Sequence, residues 1–202
     1  MLTIALPKGR IAKETLAKFE KAFGEEFVFE DRKLILEKSG FRFLNVRNQD
    51  VPTYVMHGAA DLGVVGLDVL EEKEYDLIKL LDLELGRCKV AFGLRAGEEL
   101  DLTKSKITVA TKHEKIAKRY FEEKAMAVDI IKLYGSIELA PLVNLSDCIV
   151  DIVETGETMK QNGLEVGPTI MESSAYLIAN KNAFYAKKDV ILDLKEKIEA
   201  TL

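Results

Sequence analysis

Six polar or flexible residues with chemical potential lie within eight positions: Asp151, Glu154, Thr155, Gly156, Glu157 and Thr158, in the run Asp-Ile-Val-Glu-Thr-Gly-Glu-Thr. The apolar stretch Cys148-Ile149-Val150 leads into them, and Met159-Lys160 and the stop signal Asn162-Gly163 follow. A strand, a Gly/Thr turn and a helix start make an anion site. The first helical N–H groups have no helical acceptor, and the helix dipole favours negative charge there. Gly156 lets backbone approach a ligand, and Thr155 and Thr158 bring hydroxyl donors. Asp151 and Glu154 are placed to hold ribose hydroxyls or a metal's water shell. A capping threonine and a turn glycine also occur without any ligand; the two carboxylates and the second threonine favour a phosphate. The turn is neither a G-x-x-x-x-G-K-[ST] loop nor a G-x-G-x-x-G loop.

A second anion-type turn opens the chain. Apolar residues 2–6 run into Pro7-Lys8-Gly9-Arg10, and then Ala12, Leu16, Phe19 and Phe23 keep helical spacing up to Gly24. Lys8 and Arg10 therefore sit in a strand-to-helix turn, where open α/β sheets place ligand groups. Arg32 and Arg47 stand near the outer ends of a hairpin expected over residues 27–46, turning at Ser39-Gly40, and by default each is a solvated cation. His57 and His113 are the only histidines, and no Cys/His cluster has metal-ligand spacing, so no protein-held metal is expected. Cys88 and Cys148 are far apart in apolar runs, which predicts buried free thiols.

The chain has 202 residues, 48% hydrophobic and 31% charged, with a net charge of −5. That charge argues against a nucleic-acid-coating role. No apolar run reaches the ~18 residues of a membrane span, and the N-terminus lacks the charge order of a signal peptide, so the expected compartment is the cytoplasm, without membrane or nucleic acid as partner.

These turns must be positioned by alternating strands and helices. Asp50-Val51-Pro52 starts a helix ending at His57-Gly58. Ala60-Asp61-Leu62-Gly63-Val64-Val65-Gly66 is a small-residue strand, and Asp68 lies in the helix after it. Its glycines suit either a closely approaching ligand or tight strand–helix packing. Strands are expected at 77–85, 88–95, 106–110 and 128–133, and helices from His113 through Met126, over 137–143 and over 190–202. Residues 167–179 read as extended. Repeated β-α units imply an α/β fold with ligands at strand C-termini. Breaks near Arg95 and Ala179 suggest two lobes: residues 1–95 with 179–202, and residues 96–178 containing the phosphate turn.

Three stretches together resemble one family: Ala5-Leu6-Pro7-Lys8-Gly9-Arg10; Asp50-Val51-Pro52-Thr53-Tyr54-Val55 with Gly58-Ala59-Ala60-Asp61-Leu62-Gly63; and Glu154-Thr155-Gly156-Glu157-Thr158-Met159-Lys160-Gln161-Asn162-Gly163-Leu164. They are similar to ATP phosphoribosyltransferase, which opens histidine biosynthesis. Met159 stands where that family usually has Leu, a harmless exchange. The resemblance implies two α/β lobes like a type II periplasmic binding protein, with the active site in the cleft between them. It implies that adenine N1 of ATP attacks C1′ of 5-phosphoribosyl 1-diphosphate (PRPP), and that diphosphate leaves with substrate-bound Mg²⁺. It further implies that Asp151, Glu154, Thr155, Gly156, Glu157 and Thr158 bind PRPP, with the turn on its 5-phosphate. Lys8, Arg10 and Arg32 act on the diphosphate and the ATP phosphates, and Gly9, Arg47 and Asp68 bind ATP. A chain ending at Leu202 looks like the short form, which works with a regulatory subunit resembling histidyl-tRNA synthetase. Competing expectations are a non-catalytic two-lobed binding protein and a nucleobase phosphoribosyltransferase. The latter usually has adjacent acidic residues before its Thr-rich turn, whereas Ile-Val separates Asp151 from Glu154.

Overall fold

The computed structural model describes residues 1–101 and 103–202. The chain divides into two compact units, Met1–Arg87 with Ser174–Leu202, and Cys88–Ser173. Strands β5 (Ile78–Arg95) and β9 (Leu164–Ala179) each run through both units. The division lies a few residues from the breaks expected near Arg95 and Ala179: residues 88–95 group with the second unit and residues 174–178 with the first. Ala96 is tied into the second unit through its N–H on Gly163 O at 3.1 Å, and Ala179 pairs with Leu62 of the first. Within β5, Glu84 and Gly86 take positive φ, so the two strands expected at 77–85 and 88–95 are one strand with a distorted middle.

The first unit is built on β1 (Leu2–Pro7), whose apolar residues are nearly all buried. It pairs in parallel with β3 (Phe41–Val46) on one side and β4 (Leu62–Gly66) on the other. β2 (Ile35–Lys38) adds an antiparallel edge on β3, and the last residues of β9 pair antiparallel with β4. Helix α1 (Arg10–Phe23) follows β1 and buries Ala12, Leu16 and Phe19 at the spacing read from the sequence. Phe19 meets Phe43 edge-to-face at 5.0 Å in a cluster with Phe23, Phe27 and Phe41, an arrangement worth ~0.5–1.5 kcal/mol per pair beyond area burial. The other face of the sheet holds α2 (Val51–Met56) and α3 (Leu67–Lys73) over Ala5, Val65 and Ile178. A Cβ on Gly63 would stand 2.7 Å from Val55 Cγ2 and 2.8 Å from Val51 Cγ1, so at this glycine the reason is strand–helix packing. The chain closes with α7 (Lys181–Ala186) and α8 (Lys188–Glu199), which buries Ile191, Leu194 and Ile198.

In the second unit, β8 (Cys148–Val153) lies between β5, antiparallel, and β6 (Ile107–Thr111), parallel; β7 (Val128–Lys132) is parallel to β6 at the edge. Helix α4 (Glu114–Glu123) packs Ile116, Ala117 and Phe121 against Val90, Phe92 and Val109. The opposite face carries α5 (Leu139–Leu142) and α6 (Glu157–Gln161), with Ala140, Ile149 and Met159 in one core. No helix among the described residues is long and apolar enough to cross a membrane.

The expected hairpin over 27–46 shrinks to β2 and β3. Residues 26–30 form neither helix nor strand, and Arg32 sits in a turn with φ 59°. The side chains of Phe27 and Phe29 are drawn into the α1 core instead of alternating across a sheet.

Candidate functional site

The phosphate turn is built by the end of β8. Gly156 is the N-cap of α6, with φ 81° and ψ −1°, in the left-handed region that favours glycine. Lys160 N–H donates to Gly156 O at 3.0 Å, the first rung of the helix. The N–H groups of Thr158 and Met159 precede that rung and have no helical partner. Thr155 is one residue ahead of the cap. Its hydroxyl oxygen accepts the Glu157 N–H at 3.3 Å, which leaves its O–H to donate outward. Glu154, Thr155, Glu157 and Thr158 are all exposed, so the loop presents its donors to solvent. The Glu157 carboxylate accepts from Gln161 Nε2 at 3.1 Å, and Asn162 Nδ2 donates to Thr158 O at 2.8 Å, which closes the far end of the turn.

Asp151 stands three residues upstream and is only 14% exposed in its side chain. Its Oδ1 accepts the Ile152 N–H at 2.7 Å and lies 2.9 Å from Lys112 Nζ and 3.9 Å from His113 Nε2. Register explains the encounter: Thr111, the last residue of β6, is level with Val150 within β8, so Lys112 just past β6 comes beside Asp151. The Thr111 hydroxyl donates to Val150 O at 2.6 Å and accepts the His113 N–H at 2.8 Å, which ties the end of β6 to the middle of β8. Lys112 is a cation that sequence reasoning passed over. Its signal was present, since Thr111-Lys112-His113 is another strand-to-helix turn. A carboxylate with a lysine beside it, next to a hydroxyl-rich anion turn, suits a phosphorylated sugar: the carboxylate takes ring hydroxyls and the cation faces the phosphates.

The first unit gathers its candidates at one sheet edge. Pro7 and Val46 are level in the parallel pairing, and Lys8 N–H donates to Val46 O at 2.8 Å, so the turn of Lys8, Gly9 and Arg10 emerges beside Arg47. Asp68 is in the first turn of α3, just beyond the parallel β4, and is buried to 3% exposure. Asn45 N–H donates to Leu34 O at 2.8 Å, which brings the segment with Arg32 to the same edge. Lys8, Arg10, Arg32 and Arg47 are exposed. Arg10 Nε is 3.7 Å from Glu14 Oε1, a surface pair of the kind worth ~0–1 kcal/mol. Each of the two units thus assembles its share of the predicted residues. Among the described residues no group of three or more His, Cys, Asp or Glu side chains is arranged to hold a metal ion. Of the two thiols, burial pushes Cys148 up to about 12, and Cys88 is half-buried; neither forms a disulfide.

The family model described as HisG, ATP phosphoribosyltransferase, matches residues 47–200. A curated relative from Wolinella succinogenes named ATP phosphoribosyltransferase is 68% identical over 197 residues, 98% of this chain and 96% of the relative. A solved structure titled ATP phosphoribosyl transferase (HisG:HisZ) complex from Thermotoga maritima contains a chain with TM-score 0.86 at 35% identity, covering 100% of this chain and 98% of that one. The periplasmic aliphatic sulphonate binding protein SsuA from Escherichia coli aligns at TM-score 0.63 and 13% identity over 99% of this chain and 72% of its own, a likeness of fold alone. With a two-unit α/β fold shared with periplasmic binding proteins, a match over most of its length and relatives of the same extent, this chain belongs to the ATP phosphoribosyltransferase family.

Proposed function

We propose that the chain transfers the 5-phosphoribosyl group of PRPP to adenine N1 of ATP, as the first step of histidine biosynthesis, with the residues above in the following roles. The N1 lone pair forms the N1–C1′ bond while the C1′–O bond breaks, and its electron pair leaves with diphosphate. Adenine N1 bears no proton, so no strong base is needed to make it a nucleophile. The barrier lies in charge, with a cationic ribosyl centre and a departing polyanion. Thr155, Thr158 and the first N–H groups of α6 hold the 5-phosphate, with Gly156 shaping the turn and Glu154 and Glu157 at its rim. Asp151, steadied by Lys112, faces the ribose. Lys8, Arg10 and Arg32 meet the diphosphate and the ATP phosphates, and Gly9, Arg47 and Asp68 hold the rest of ATP. Asp151 is already engaged by Lys112. Mg²⁺ therefore enters with PRPP as the counter-ion of its diphosphate, in keeping with that ion's preference for phosphate oxygens and water over protein cages.

The observation that supports this reading most is the pairing of Asp151 with Lys112 directly behind a hydroxyl-lined helix start, in a chain of this family. We further propose cytoplasmic placement, where ATP and PRPP are made, and a histidyl-tRNA-synthetase-like regulatory partner; the HisG:HisZ title of the Thermotoga maritima structure supports the latter. Feedback is then a coupling between two chains. Histidine should inhibit the assembled complex and leave the isolated chain unaffected; saturable inhibition of the purified chain at low micromolar histidine would overturn this. A substrate screen tests the reaction itself: ATP should be ribosylated and free nucleobases should not, whereas a non-catalytic binding protein would consume neither.

A further inference from the structure

A histidine is buried beside the ribose carboxylate, and the proposed reaction gives it no task. His113 lies in the second unit and is 1% exposed. It is the N-cap of α4, and its backbone is held on both sides. Its N–H donates to the Thr111 hydroxyl at 2.8 Å, and its C=O accepts the Ala117 N–H at 3.0 Å. A ring on so fixed a main chain moves chiefly about its own side-chain bonds. Its Nε2 stands 3.9 Å from Asp151 Oδ1, about 1 Å beyond the usual N–H···O distance. The same oxygen takes Lys112 Nζ at 2.9 Å and the Ile152 N–H at 2.7 Å. These contacts gather on Oδ1, which leaves Oδ2 for the ribose hydroxyls.

The two side chains beside that oxygen differ in freedom. Lys112 is 34% exposed and carries its ammonium on a flexible four-carbon stem, whereas the His113 ring is walled in. PRPP brings a 5-phosphate and a diphosphate, strong acceptors that compete for a nearby ammonium. Asp151 is 14% exposed, and a carboxylate so placed is strongly disfavoured when its partner leaves. We propose that His113 is a positioning residue for Asp151. As Lys112 turns toward the PRPP phosphates, the imidazole Nε2–H closes on Oδ1 and keeps the carboxylate aimed at the ribose. An imidazole N–H donates to a carboxylate whether or not the ring carries a second proton, so this exchange of partners requires no proton transfer. The Ile152 N–H stays on Oδ1 throughout and limits how far the carboxylate can pivot. PRPP thereby gains a cation without Asp151 losing its support.

The role of His113 rests on Asp151 and the neighbouring turn being the PRPP site. The test uses the whole chain with PRPP and Mg²⁺ and reads the ring by NMR. The chain has two histidines, and His57 is exposed, so His57→Gln leaves the signals of His113 alone. On saturation with PRPP, the Nε2–H proton of His113, protected from exchange by burial, should move downfield as it joins a hydrogen bond. Lys112→Met should produce the same shift without PRPP, because Asp151 has then already lost its lysine. His113→Phe keeps a buried ring and loses the donor. It should weaken PRPP binding about 3–10-fold, the worth of one hydrogen bond, with ATP binding unchanged. His113→Gln, with an N–H at a similar reach, should recover much of that loss, and in an Asp151→Ala background His113→Phe should cost nothing further. Circular dichroism checks the fold of each variant, and the wild-type ring signal does not depend on the His113 variants folding. A ring signal that ignores both PRPP and Lys112→Met, or a His113→Phe loss that persists without Asp151, would overturn the role and leave His113 as packing. Thr158→Ala separates the two readings. If it binds PRPP like wild type, the site assignment fails and the role of His113 with it. If it is impaired while the His113 signal stays in place, the exchange of partners alone fails.

Discussion

Replacing Gly156 should damage PRPP binding through backbone strain first and crowding second. The residue sits at φ 81°, and an L side chain in the left-handed region costs roughly 1–2 kcal/mol. An added Cβ would also stand 2.9 Å from Val166 Cγ2 and 3.8 Å from Val153 Cγ1. Val166 is 37% exposed, so its methyl can turn aside, and the crowding should cost less than the strain. The turn can relieve strain only by rotating, which moves the hydroxyls of Thr155 and Thr158 away from the phosphate. Gly156→Ala should therefore raise the PRPP dissociation constant about 5–30-fold, since 1.4 kcal/mol is tenfold. Gly156→Val should do worse, because a β-branched residue is poorly tolerated at positive φ. Adding Val166→Ala to Gly156→Ala removes the crowding alone and should recover only a minor part of the loss. Thr158→Ala removes a hydroxyl donor to a charged acceptor, ~1–3 kcal/mol. Isothermal titration with PRPP reads the effect, and ATP titration of the same variants should change little. Wild-type PRPP affinity in both Gly156→Val and Thr158→Ala would refute the assignment of this turn.

Arg10→Ala and Arg32→Ala should lower kcat more than they raise KM, because leaving-group charge grows in the transition state; pure KM effects in steady-state assays would mean uniform binding instead. Burial pushes the Asp147 carboxyl up, but hydrogen bonds from Lys104 Nζ (2.5 Å) and Thr108 N–H (2.8 Å) outweigh it and hold its pKa below the usual carboxylate value. Its stabilisation is fully present above the unfolded pKa of ~3.9 and is lost as pH falls through the lowered folded value. Asp147→Asn should then cost about 1 kcal/mol at pH 7 in urea unfolding, with the gap closing below about pH 4; a gap unchanged at pH 3 would contradict the pairing. Cys148, pushed up to about 12 by burial, should resist alkylation at pH 8 until the chain is unfolded, whereas half-buried Cys88 should react first.

The parts of the molecule that could be read from the sequence were those where one local signal decides the structure. The Gly/Thr turn after an apolar run, the 3.6-residue spacing of Leu16, Phe19 and Phe23, and the Val-Pro helix start all appear where they were expected. What escaped depended on partners distant in sequence. Residues 27–34 carry apolar residues at strand-like spacing, but Phe27 packs on Phe19 and Phe43, and that side-chain pull outweighs pairing. The distortion at Glu84 and Gly86 looked like a strand end, because positive φ leaves no trace of whether the strand resumes. Lys112 lies in a strand-to-helix turn that the sequence shows, but its place beside Asp151 comes from the level pairing of Thr111 with Val150, which no local pattern encodes. The roles of Lys8, Arg10, Arg32 and Arg47 came from family likeness; taken alone, each is an exposed cation.

The most direct measurement is an assay of the purified chain with ATP, PRPP and Mg²⁺, with and without a regulatory subunit, following diphosphate release and the mass of the nucleotide product. The expected result is stoichiometric diphosphate and ATP carrying one added phosphoribosyl group on N1, with Thr158→Ala impaired through PRPP. PRPP bound without turnover of ATP, or diphosphate released with a free base and not with ATP, would contradict the proposed reaction.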